Sequence, residues 1–284
     1  MMNEPILDKL YTMRLGAMAA AWQEQQRDTL IAELSFDERF GLLVESEHLA
    51  RDNRRLHRRL KEADLRIAEA CLEDVTASSA RGVEKAMLHQ FATCAWVDQH
   101  RNVIITGMTG VGKSYLGCAL AQSACRRGLR ALYRRVPRLF DELALAKADG
   151  TYTKVLARLK RADVLVLDDL GLGHLTAAQR HDLLEVVEDR YGRGSTVITS
   201  QLPIKKWHDW IADPTLADAI LDRVVHNAYK CCVAVPMSAV VAARVTVAGW
   251  PAEGASRSVL RSARPRARRS RTLRMERAIR RGCA

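Results

Sequence analysis

With 284 residues, 48% of them apolar, and a formal net charge of +12, the chain can build one large domain or two small ones around a buried core. No apolar run approaches the roughly 18 residues of a membrane span, and the start MMNEPILDKL lacks the basic-then-apolar pattern of a signal peptide. Seven cysteines with no CxxC and no histidine at zinc-ligand spacing argue against a structural metal and suit the reduced thiols of a cytoplasmic protein.

Residues 3–70 read as helices with almost no glycine or proline. Ile6, Leu10, Met13, Leu15 and Met18 keep an approximate helical stripe through the first, and Ser35-Phe36-Asp37-Glu38 is a capping box that opens a second. The second carries Phe40, Leu43, Val44 and Leu49, then turns basic at Arg51, Arg54, Arg55, His57, Arg58, Arg59 and Lys61. Arginines crowded onto a helix with apolar flanks suit contact with a phosphate backbone; a solvated face is the alternative.

From about residue 82 the pattern changes to apolar runs alternating with amphipathic helices, the signature of a parallel sheet with helices on its faces. The runs are 103–106, 131–133, 164–167 and 196–199, and helices are expected near 83–92, 114–127, 137–147, 151–161, 176–192 and 214–228. The first run feeds directly into Gly107-Met108-Thr109-Gly110-Val111-Gly112-Lys113-Ser114, a complete phosphate-binding loop, with Tyr115 following. Its glycines let successive N–H groups turn inward around a phosphate chain, and the helix that starts behind adds its positive end. Lys113 is expected to reach the β- and γ-phosphates, and the Ser114 hydroxyl to bind the Mg2+ that bridges them.

The run at 164–167 ends in Asp168-Asp169, a Walker B pattern. Asp168 is expected to hold Mg2+ through its water shell, and Asp169 to act as general base on the attacking water. The run at 196–199 ends in Ser200 and Gln201, either of which could sense the γ-phosphate; argument from the residues does not separate them. Arg223, on the helix after the last core run, is a candidate for neutralising γ-phosphate charge from a neighbouring subunit, with a salt bridge to Asp222 or Asp218 as the alternative. Trp96, Trp207 and Trp210 read as packing anchors. The absence of an NKxD segment favours ATP over GTP.

From residue 231 onward twelve arginines face two glutamates, a local +10 that leaves only +2 for everything before it. Lys, Asp, His, Asn, Gln, Tyr and Phe are all missing from this stretch, so little stable fold is expected. Such a tail can bind DNA, and its Arg/Ala/Ser/Val bias also suits an out-of-frame reading of GC-rich coding sequence.

Taken in order, GMTGVGKS, VLVLDDLG, TVITSQLP and DPTLADAILDRVVHNA resemble the IstB-like ATPases, relatives of the helicase loader DnaC within the AAA+ superfamily. The resemblance extends over residues 1–230, including KLYTMRLGAMAAAW near the start. It implies an ATP-hydrolysing helper of DNA transposition that assembles as a homo-oligomer on double-stranded DNA and recruits or stimulates a partner transposase. A DnaC-like loader of a replicative helicase is the alternative. The implied organisation is a helical DNA- and partner-binding domain at 1–70, an AAA+ core at 71–230 and a non-family basic tail at 231–284. Because family members finish with one more short strand after the position of Lys230, the divergence there implies a lost sheet-edge strand.

Overall fold

The computed structural model describes residues 4–28, 30–77 and 82–234, all within the first of two contact units, Met1–Val241; the second is Ala242–Ala284. The expectation for the basic tail therefore lies, from residue 235 on, outside the described residues.

The N-terminal region is helical, in three pieces: α1 (Glu4–Thr12), α2 (Gly16–Gln25) and α3 (Phe36–Ala63). The first expected helix is two, because Arg14 adopts a left-handed φ of 59° and turns the chain between them. Its apolar stripe is accordingly not a buried one: Ile6 and Met13 are exposed. Ser35 caps α3 as expected, accepting from Glu38 N while the Glu38 side chain takes Ser35 N. The apolar first half of α3 leaves Phe40, Val44 and Leu49 exposed, whereas Leu56, Leu60 and Ala63 in its last turns pack on the core. One unbroken helix thus links the helical region to the sheet.

Five strands form that sheet: β1 (Asn102–Gly107), β2 (Ala131–Arg135), β3 (Val164–Leu170), β4 (Ser195–Ser200) and β5 (Ala228–Val233). They lie in the order β2-β3-β4-β1-β5, every pair parallel. Both faces are covered, which is why β1 and β3 read as uninterrupted apolar runs: Val103, Ile104, Ile105 and Val164–Leu167 are fully buried. Against one face pack α4 (Lys85–Ala92), α5 (Ala95–Asp98), α6 (Lys113–Arg126) and the end of α3. On the other lie α7 (Val136–Ala148), α8 (Tyr152–Lys160), α9 (Ala177–Arg190), α10 (Trp207–Ile211) and α11 (Pro214–Val225). Trp96 and Trp207 anchor opposite faces, nearly fully buried.

The edge strand corrects the expectation of a lost one. Residues Cys231–Val233 continue β5 and pair with Ile105, Thr106 and Gly107. Alternation decides it: Cys231 and Val233 are buried while Cys232 is exposed, and a free edge on β1 accepts any short segment with that alternation.

Candidate active site

Parallel strands all deliver their C-terminal ends to one side, and there the phosphate loop, the β3 carboxylates and the polar end of β4 meet. Gly107, Gly110 and Gly112 take φ values of 155°, 84° and 92°, so the loop between β1 and α6 uses conformations that side chains resist. At Gly107 a Cβ would also strike the Val233 carbonyl oxygen of β5. Lys113 is nearly buried, and its ammonium donates to Met108 O at 2.8 Å, across the loop it closes. Burial lowers its pKa; Asp169 and Asp168 pull it partly back up. Val111 is buried and Met108 stands out in solvent, while Tyr115 points elsewhere, its hydroxyl accepting from Cys71 N at 3.4 Å. Its side chain is therefore not part of the loop's concave face.

Asp168 is fully buried and collects three hydroxyl protons: Ser114 at 2.9 Å and Thr199 on Oδ1, Tyr133 at 2.6 Å on Oδ2. Burial and the neighbouring Asp168 push the Tyr133 phenol well above its ordinary pKa, so it remains a donor. Asp169 follows with a left-handed φ of 63°, its amide donating to Thr199 Oγ1 at 3.0 Å and its carboxylate taking Arg135 Nε at 2.7 Å. Arg66, from the segment after α3, reaches both carboxylates, at 3.6 Å from Asp168 and 4.0 Å from Asp169.

The two sensor candidates separate. Gln201 accepts from Thr109 Oγ1 of the loop at 2.9 Å, while Ser200 is buried, donating to Leu170 O at 2.7 Å and accepting from Leu202 N at 3.0 Å. Strand alternation turns Ser200 away from the site and Thr199 toward it. That alternation was the available signal for Thr199. Arg66, Arg135 and Tyr133 had none: the β2–β3 register brings Tyr133 and Arg135 beside the carboxylates, and the chain path after α3 brings Arg66.

Arg223 lies elsewhere. Its carbonyl accepts from Asn102 Nδ2 at 3.1 Å, at the N-terminal end of β1, five residue steps or about 16 Å from Gly107. Its guanidinium pairs with Glu188 and lies over the Tyr191 ring, so neither Asp222 nor Asp218 is the partner. It cannot serve the loop of its own chain.

The donor set fits a magnesium-bound triphosphate. The Ser114 hydroxyl donates its hydrogen bond to Asp168, which leaves the oxygen lone pairs free for a hard cation beside a buried carboxylate.

A parallel sheet of this order with a phosphate loop after β1 and paired carboxylates ending β3 belongs to the class of P-loop ATPases. Within that class the chain is a member of the IstB-like ATP binding protein family, whose pattern matches residues 8–236. It is 50% identical over 230 residues to an insertion-sequence ATP-binding protein of Sinorhizobium fredii, covering 81% of this chain and 94% of that one. An ATP-binding protein of insertion sequence IS1162 from Pseudomonas fluorescens is 46% identical over 203 residues, covering 72% and 88%. Among solved structures, the replication initiator DnaA bound to AMPPCP and single-stranded DNA shares the fold at a TM-score of 0.53 and 15% identity, over 65% of this chain and 56% of that one.

Proposed function

We propose that this protein is an ATP-dependent regulator of DNA transposition that assembles as an oligomer on duplex DNA, recruits or stimulates a partner transposase, and hydrolyses ATP in doing so. The observation that carries the reading is the joining of phosphate loop, metal-side carboxylate and strand end through Ser114, Asp168, Thr199 and Gln201, in a chain whose near relatives are described as insertion-sequence ATP-binding proteins. Those descriptions favour transposition over helicase loading.

In this reading the 107–112 amides and Lys113 bind the phosphates, and Ser114 and Asp168 hold Mg2+, which supplies charge neutralisation when bound. Asp169 orients and polarises the attacking water, with Arg135 fixing its carboxylate. Gln201 is the sensor, since it touches the loop and Ser200 does not. Arg223 acts on the site of the neighbouring subunit. The test is imaging and gel shift of the full chain with duplex DNA, with and without ATP and Mg2+. Lys113→Ala is expected to lose ATP-dependent assembly; assembly at the unmutated level would refute the nucleotide role.

A further inference from the structure

Most of the basic run of α3 is paired with acids of the same helix. Seven Lys/Arg face six acidic residues along the helix, a net +1. Arg51 and Arg54 pair with Glu47 at 2.9 and 3.1 Å, Arg55 with Asp52 at 3.1 Å and Arg58 with Glu62 at 4.0 Å. Unneutralised charge gathers instead where the end of α3 meets the sheet. A cleft of about 240 Å³ there is lined by Arg130 before β2, Lys154 and Arg158 of α8, and Arg161 before β3, with Glu62 as its sole acid. Among the described residues none of the four cations forms an ion pair with a carboxylate. The Arg59 guanidinium lies close by, over Gly128.

Four cations converging on one cleft repel one another, and an anion seated among them relieves that repulsion. The space suits phosphate groups and not a base pair, so recognition there is of a backbone and independent of sequence. The cleft also sits at the N-terminal ends of β2 and β3, the side of the sheet opposite the phosphate loop, which keeps it separate from the nucleotide phosphates. We propose that this cleft on the ATPase core is the principal seat of the duplex DNA backbone, with the α3 run playing a lesser part. The inference rests on the reading that the protein assembles on duplex DNA.

The experiment is fluorescence anisotropy of the full chain on duplex DNA, with ATP and Mg2+, across a salt series. The triple variant Arg130→Gln/Arg158→Gln/Arg161→Gln is expected to bind about tenfold or more weakly at physiological salt, with a log–log salt slope reduced by about 2 to 3. Arg51→Gln/Arg55→Gln is expected to change both far less. Affinity for a fluorescent ATP analogue, unchanged in both, shows that the fold is intact; were the triple variant to lose it, Lys154→Gln alone must lower the slope by about 1. Duplex binding by the triple variant with unaltered affinity and slope overturns the cleft and leaves the functional reading standing. Absence of duplex binding by the unmutated chain overturns that reading itself.

Discussion

At the scale of single residues the candidate site is organised around Asp168, a carboxylate with no solvent exposure that accepts hydrogen bonds from α6, β4 and β2. A buried anion costs stability unless every lone pair finds a donor, so each hydroxyl here counts for more than it would at the surface. Tyr133→Phe removes one of them without changing shape. It is expected to lower the stability of the nucleotide-free protein by about 1–2 kcal/mol, read as a shift in urea midpoint at constant slope. An unchanged midpoint would mean that Arg66 and the other donors already suffice. The same crowding explains why Lys113 and the carboxylates were legible in the sequence while Tyr133 was not. Loop and strand end form a contiguous local pattern, whereas Tyr133 reaches Asp168 only because β2 pairs with β3 in one register.

Among the elements, α2 is fastened to α3 at both ends, by Gln25 Nε2 donating to Arg39 O at 2.9 Å and by Glu47. Glu47 is nearly buried; its Oε2 accepts from Ala17 N at 2.9 Å and Met18 N at 3.2 Å, at the start of α2, while Oε1 holds Arg51 and Arg54. Burial raises its pKa, but the Arg51 bond and the two amides outweigh that and leave it lowered. Its contribution is therefore complete above the ordinary value of 4.5 and is lost as pH falls through the depressed folded value. Glu47→Ala is expected to cost about 2 kcal/mol locally, seen as faster amide exchange in α2 at neutral pH. Elsewhere, sequence periodicity located the first four strands and the helices α6, α7, α8, α9 and α11 within a few residues of their observed ends, but not the short α10. It placed no strand at β5, where residues 228–230 form no apolar run and the alternation covers only the last three residues. Ending the chain after Ala234 should keep the unfolding midpoint of the core, whereas ending it after Lys230 exposes the partners of Cys231 and Val233 and should lower stability by about 2–4 kcal/mol in calorimetry. Equal melting of the two would show that the edge strand contributes nothing.

At the scale of the whole molecule, the ends of the sheet divide the labour. The groups of the proposed nucleotide site gather at the C-terminal ends of the strands, and Arg223 with the cationic cleft occupies the N-terminal side. Arg223 is anchored at the end of β1 opposite its own loop, so in the proposed reading it acts on hydrolysis through a second copy. Arg223→Ala is accordingly expected to bind ATP as before but to turn it over about 100-fold more slowly on DNA, and mixing with an excess of Asp169→Asn subunits, which keep the phosphate-binding groups and Arg223, should restore part of the rate. A rate equal to that of the unmutated protein, under assembling conditions, would remove Arg223 from the site. The sequence by itself determined the phosphate loop, the paired carboxylates, the helix caps and the alternation of strands and helices, because each is written in residues a few positions apart and acts through local backbone geometry. Only the tertiary structure decided that Arg66, Tyr133, Thr199 and Gln201 surround the site and that Cys231–Val233 complete the sheet. Those outcomes depend on register and packing between segments far apart in the chain, where the energy belongs to the contact and to neither segment alone.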